Sequence, residues 1–177
     1  MYLNVSQLMK ETSGSSRFHE VDEPLAIVED APQRQVIGSV SLLRTDKGVW
    51  VSAGLDTQVT CVCNRCLNDY DQPIHMDIEE EFFPLVEVAT GSELSRSGDD
   101  EQSFHMDRNH SLDLREALLQ YSALALPMKL VCAENCRGLC PTCGENLNTT
   151  ACRCDTASMD SRWEALFEMV PSVDKDN

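Results

Sequence analysis

Between Gln35 and Val62 the chain alternates apolar and polar positions with a period of two, as strands that bury one face do. In "QVIGSVSLLRT", Val36, Gly38, Val40 and Leu42 fall on one face and Ile37, Ser39, Ser41 and Leu43 on the other. The run "VWVSAGLDTQVTCV" is rich in Val and Thr, whose branched side chains suit a pleated backbone. Between the two runs, "TDKG" supplies the Asp and Gly of a tight turn, so the pair predicts an antiparallel hairpin. A third strand is predicted in "PIHMDIEEEFF", with Ile74, Met76 and Ile78 on one face and His75, Asp77 and Glu79 on the other. The opening "YLNVSQLMKE" fits either a short strand or a short helix.

After residue 110 the period changes. "SLDLREALLQYSALALP" places Leu114, Leu118, Tyr121 and Ala125 on one helical stripe, with Ser111 or Asp113 as N-cap and Pro127 as the stop. "DSRWEALFEMVP" predicts a closing helix: Ser161 and Glu164 fit a capping box, and Trp163, Leu166, Phe167 and Val170 repeat at helical spacing. From Glu87 to Ser103, "EVATGSELSRSGDDEQS" is acidic, polar and without apolar period, which reads as a mobile linker. The expected architecture is therefore α+β in two parts. An antiparallel β module (residues 1–86) is followed by an acidic linker (87–110) and a helical C-terminal module (111–177) that carries a cysteine cluster.

Composition adds the chemistry. Nine cysteines stand among 177 residues, six of them between Cys132 and Cys154 in "CAENCRGLCPTCGENLNTTACRC". The N-terminal segment has no basic region followed by an apolar run, so it does not read as a signal peptide, and no run of about 18 apolar residues suggests a membrane span. The expectation is a soluble cytoplasmic protein, in which clustered cysteines serve metals or redox chemistry more often than disulfides.

The cysteines resolve into pairs. Cys140 and Cys143 have C-x-x-C spacing followed by Gly, a knuckle whose turn amides can point at both sulfurs, and a structural zinc ion needs four such ligands. Cys152 and Cys154, at i and i+2, share one side of an extended segment that "GENLNTTA" can fold back. Cys140, Cys143, Cys152 and Cys154 thus form the first candidate site. Cys132 and Cys136 share one face of a helical turn. With Cys63 and Cys66 of "CNRC" they form a second candidate site that would clip the two modules together. One zinc ion is expected and two are compatible with this count. A single site in which Cys132 or Cys136 replaces Cys152 or Cys154 remains open, as does a redox pair at Cys63 and Cys66, although such pairs belong to a βαβ setting absent here. Cys61 reads as a small hydrophobe in a strand.

Catalysis finds little support. His19, His75, His105 and His110 are scattered, consecutive carboxylates such as Glu79, Glu80 and Glu81 point to alternate faces of a strand, and no phosphate loop is present. An enzyme is not expected. The net charge of −16 disfavours non-specific binding to nucleic acid and suits a basic protein partner.

Read together, "LNVSQLMKETSGSSR", "CVCNRCL" followed by "EEEFF", "ALALPMKLVC", "CRGLCPTCGENLN" with "CRC", and "DSRWEAL" resemble the YceD-like family in the same order over nearly the whole chain. The resemblance implies a role in accumulation of large-subunit ribosomal RNA, hence ribosome assembly, with no catalytic mechanism. It also places the family's knuckle on Cys63 and Cys66, with Arg65 between them as the candidate for a phosphate or RNA contact; an ion pair with Asp69 is the plainer role for that guanidinium. Charge and resemblance together lead to the expectation of a non-enzymatic factor that binds a basic large-subunit ribosomal protein or a pre-ribosomal particle, through Glu79, Glu80 and Glu81 and the acidic linker. The rival readings are a zinc-ribbon-like adaptor that contacts ribosomal RNA through Arg65, Arg137 and Arg153, and a thiol oxidoreductase. No membrane and no small-molecule substrate are expected.

Overall fold

The structure is a computed structural model that describes residues 1–27, 32–88, 90–94, 103–154 and 162. Its elements are β1 (Tyr2–Asn4), a 3₁₀ turn (Leu8–Lys10), β2 (Ser16–Leu25), β3 (Arg34–Arg44), β4 (Val49–Val62), β5 (Asp69–Phe83), β6 (Phe104–His105), β7 (Ser111–Asp113) and α1 (Arg115–Ala125). Strands β2, β3, β4, β5 and β6 make one sheet in that order, antiparallel except for the short β5–β6 pair, while β1 and β7 pair separately. The ambiguous opening segment is thus both alternatives in succession, a strand and then a single helical turn.

The alternating pattern sorts the two faces of the sheet. Val36, Val40 and Leu42 of β3, Val49, Val51, Ala53 and Leu55 of β4, and Ile74, Met76, Ile78 and Phe82 of β5 are all buried. Leu8, Met9, Met106, Leu112, Leu114, Ala117 and Leu118 cover them and complete one continuous core. Each such side chain removed from water contributes about 1.5–3 kcal/mol, which sets the register of the long strands. The turn between β3 and β4 is held by Thr45, whose Oγ1 accepts the Gly48 N–H at 2.8 Å and donates to Glu81 Oε1 at 2.5 Å. A Cβ on Gly48 would lie 2.2 Å from the Phe82 carbonyl oxygen, so only glycine lets β5 pass this corner.

The opposite face carries no covering element among the described residues. Register places Phe18, Glu20 and Asp22 of β2 beside Ser41, Ser39 and Ile37 of β3, and then Ser52, Gly54 and Asp56 of β4 beside Glu79, Asp77 and His75 of β5. Leu43 and Trp50 face each other at the turn end of this surface.

The expected fold class is corrected here. Among the described residues 44% are in strands and 11% are helical, with one α-helix, so they are mainly β and do not form a β module joined to a helical C-terminal module. Helix α1 packs on β5 and belongs to the same core as the sheet. Beyond it, residues 127–154 form turns and extended stretches with one isolated bridge, Leu139 to Asn146. Cys132 and Cys136 sit around a turn closed by Cys136 N–H on the Ala133 carbonyl (3.1 Å), where a helical turn was expected. The physical reason is that this segment's path follows its converging sulfurs and two left-handed glycines, Gly138 (φ +73°) and Gly144 (φ +75°), so apolar helical periodicity has no hold on it. The closing helix predicted around 160–171 lies outside the described residues, residue 162 excepted. Helix α1 itself starts one residue after Leu114, with Asp113 accepting the Arg115 N–H (3.1 Å) and gripping its guanidinium.

Candidate metal centre

The loop that joins β4 to β5, the longest hairpin of the sheet, is the "CNRC" knuckle itself. Cys63 N–H donates to the Asn68 carbonyl (2.9 Å) and Leu67 N–H to the Cys63 carbonyl (2.9 Å), which closes the loop and turns both thiols inward. Leu67 adopts φ +60°, a left-handed conformation that costs a leucine about 1–2 kcal/mol. Contacts with the second cysteine segment hold the loop in that shape. Asn64 N–H donates to the Leu130 carbonyl (2.8 Å) and Leu139 N–H to the Arg65 carbonyl (3.2 Å). Arg65 reaches back with Nη1 onto the carbonyls of Glu134 (3.1 Å) and Cys136 (2.9 Å). The residue singled out for an RNA contact therefore clasps the two cysteine segments together. A side chain on Gly138 would meet the Arg65 carbonyl at 3.1 Å, so glycine there permits the close approach.

Four sulfurs converge inside this clasp. The Sγ atoms of Cys63, Cys66, Cys132 and Cys136 all lie within 4.8 Å of one another, with Cys63 to Cys136 at 3.9 Å and Cys66 to Cys132 at 3.7 Å. An ion bound tetrahedrally at about 2.3 Å from each thiolate requires sulfur–sulfur edges of about 3.8 Å, so the donor set fits a tetrahedral metal. N–H groups already point at the sulfurs: Cys132 N–H (3.4 Å) and Arg65 N–H (3.5 Å) donate to Cys63, and the Asn148 side-chain amide donates to Cys136 (3.3 Å). The second cluster repeats the design. Cys140, Cys143, Cys152 and Cys154 also bring their sulfurs within 4.8 Å, around a turn in which Gly144 N–H donates to the Cys140 carbonyl (2.9 Å).

Titration behaviour follows from this crowding. Backbone N–H groups of Cys132 and Cys66 draw the Cys63 thiol down to about 6, while the neighbouring Cys136 sulfur, with burial, pushes Cys132 up to about 12. In the second cluster the amides of Cys143 and Thr142 draw Cys140 down to about 6, and the Cys143 sulfur and burial push Cys154 up to about 12. One sulfur of each set readily carries charge and another resists it, because four thiolates this close repel one another. A bound cation removes that conflict and lets all four ionise.

Residue Asn148 was not foreseen from the sequence. From the loop between Cys143 and Cys152 it reaches the first cluster's segment, where its Oδ1 accepts the Arg137 N–H at 2.8 Å while its amide serves Cys136. Its only sequence signal is the second Asn of "ENLN", a turn residue placed just after a knuckle. Cys61 is buried in β4 away from both sets, as expected of a small hydrophobe. The three glutamates separate: Glu79 is exposed and Glu81 half-buried on the open face of the sheet, while Glu80 lies on the other side and accepts a hydrogen bond from Tyr121 (2.9 Å). Of the acidic linker, residue 89 and residues 95–102 lie outside the described residues. Among the described residues no helix is long and apolar enough to cross a membrane.

Comparison with known proteins bears on the same elements. The maize (Zea mays) protein named large ribosomal RNA subunit accumulation protein YCED homolog 1, chloroplastic, is 29% identical over 145 residues, covering 70% of this chain and 50% of its own length. Uncharacterised proteins of Mycobacterium tuberculosis strain H37Rv and of Mycobacterium bovis are each 28% identical over 124 residues, 70% of this chain and 56% of theirs. The chain thus spans about half the length of the curated relatives it matches. No solved structure matches it. The sequence profile described as large ribosomal RNA subunit accumulation protein YceD matches residues 51–169, from β4 through both cysteine clusters, and the chain belongs to that family.

Proposed function

We propose that the protein is a non-enzymatic factor in accumulation of large-subunit ribosomal RNA, held in shape by two zinc ions and acting by binding a basic ribosomal protein or a pre-ribosomal particle. The family description supports the ribosomal setting. The observation that carries the mode of action is the open face of the sheet, where Asp56, Asp77 and Glu79 are exposed and no lysine or arginine stands at an open-face register position of β2, β3, β4 or β5, the Arg34 guanidinium reaching this face only at Asp71, with which it pairs. Such a surface attracts a cationic protein and repels a phosphate backbone. For Arg65 the hydrogen bonds from Nη1 to the Glu134 and Cys136 carbonyls favour a role in holding the cysteine segments together over an RNA contact. An oxidoreductase needs an accessible acidic thiol, and Cys63 is fully buried beside Cys66. Zinc is the metal of this reading because four-thiolate tetrahedra hold it in structural sites, although such sets suit iron as well. On this reading the chain works in the cytoplasm.

The test is affinity purification of the full chain at moderate salt, with quantitation of large-subunit proteins and of ribosomal RNA before and after nuclease. Large-subunit proteins that survive nuclease support the reading. Recovery that vanishes with the RNA, together with tight salt-sensitive binding of naked ribosomal RNA, would establish the adaptor alternative instead.

A further inference from the structure

The open face has an internal order that acidity alone does not explain. Its middle, on β3 and β4, is floored by the small residues Ser39, Ser41, Ser52 and Gly54, with the His75 ring close beside Gly54. Carboxylates flank this floor on both outer strands: Glu20 and Asp22 on β2, the latter also accepting from Gln35, and Asp77 and Glu79 on β5, where His75 already engages one oxygen of Asp77. At the turn end Phe18, Leu43 and Trp50 are exposed together, and at the other end Ile37 is 53% exposed. Neighbouring strands lie about 4.8 Å apart, so the flanking strands stand about 14 Å from one another, and the seven-residue run from Ile37 to Leu43 is about 20 Å long. An α-helix is about 10–12 Å across and covers 20 Å in about 13 residues.

The edges of the sheet are less suited to a partner. The Phe83 carbonyl bonds outward to Met106 N–H, so residues of the same parity in β5 turn their N–H groups outward, and Pro73 among them has none. Strand β2, the other edge, contains Pro24. A strand added at either edge would lose ladder bonds, whereas a helix needs none from the sheet. The chain's own residues 155–177 carry more acid than base and are repelled by the flanking carboxylates.

We propose that this face seats a basic α-helix of a partner protein, its lysines and arginines on the carboxylates of β2 and β5, its small-residue side on the serine and glycine floor, and one apolar side chain among Phe18, Leu43 and Trp50. The inference rests on the functional reading above and specifies the occupant's chemistry. No strand pairing is involved, and the cysteine clusters act only by fixing the far end of the β4–β5 hairpin.

The probe is a lysine- and arginine-rich amphipathic peptide of about 14 residues with a terminal leucine, mixed with the full ¹⁵N-labelled chain. Amide shifts centred on Ser39, Ser41, Ser52, Gly54 and Trp50 are expected. Affinity should fall at least tenfold for the same composition interrupted by a central proline, and at least tenfold in Ser41→Lys/Ser52→Lys, whose floor is filled and charged. Thermal melting of the variant checks that the sheet is intact. Shifts confined to the cysteine segment or the β5 edge, equal binding of the proline-interrupted peptide, no binding, or tighter occupation of the same amides by a ribosomal RNA fragment would each overturn the proposal. The two readings fail separately. Large-subunit proteins captured equally by the wild-type chain and by Ser41→Lys/Ser52→Lys overturn the helix site and leave the functional reading standing. A peptide seated on the floor of a chain that captures no large-subunit protein does the reverse.

Discussion

At the scale of single residues, the consequential side chains are those that tie separate segments together. Asn148 orients Cys136 from outside the ligand set, and groups that hold a ligand in this way typically account for a tenfold to hundredfold change in metal affinity. Asn148→Ala should therefore weaken zinc at the Cys63, Cys66, Cys132 and Cys136 cluster by about that factor, read by competition with a chromophoric chelator, and leave the other cluster unchanged. An unaltered affinity would reduce Asn148 to a turn residue. His75 offers a second test. Hydrogen bonding to Asp56 (2.8 Å), then to Asp77 (3.1 Å), raises its pKa above the ordinary 6.5. Because the folded value is raised, the imidazolium stabilises the fold fully below pH 6.5, and that contribution is lost as pH rises through the folded value. An NMR titration should place the midpoint above 6.5, and Asp56→Asn should bring it back toward that value; a wild-type midpoint at or below 6.5 would refute the bridge. The cysteine pairs were legible in the sequence because ligand spacing is local chemistry. Asn148 and the Arg65 clasp were not, since each acts on a partner far along the chain.

At the scale of elements, legibility tracked burial. Strands β3, β4 and β5 bury one face, so Val36, Val40, Val51, Leu55, Ile74 and Ile78 wrote the period of two into the sequence. Strand β2 was missed because it is an edge strand with Val21 as its only buried residue, and an element exposed on both faces leaves no alternation to read. The cysteine segment was misread as helical because i, i+4 spacing fits a ligand turn as well as a helical one. The β4–β5 hairpin joins both kinds of information, since its strands are set by burial and its tip by sulfur. Cys63→Ser/Cys66→Ser should accordingly lower the zinc content from two per chain to one by elemental analysis. The hydrogen bonds from Asn64 to Leu130 and from Leu139 to Arg65 should lose their protection against hydrogen exchange, while the Val49–Leu55 stretch of β4 keeps its own. Two ions retained in the double variant would break the assignment of these ligands.

At the scale of the whole molecule, two separate burial clusters divide the work of stabilisation. The sheet, the 3₁₀ turn, the β1–β7 pair and α1 share one apolar core. Around the knuckles, Cys63, Cys66 and Cys136 are buried, and among the described residues Tyr70 and Val131 are the apolar side chains packed against them. So few apolar side chains cannot offset the chain entropy of ordering the 130–154 segment, and on the proposed reading metal ligation supplies the difference. Removing the metal should then loosen that segment without melting the sheet. A thiol-reactive or strongly chelating treatment of the full chain is expected to expose all eight ligand cysteines to alkylation, while far-UV circular dichroism keeps its strand signal and the cooperative thermal transition of the core survives. If the strand signal collapsed with the metal, the sheet and the cysteine segment would be one cooperative unit. The open acidic face would then depend on metal for its very existence, since its floor and flanking strands are formed by the same sheet.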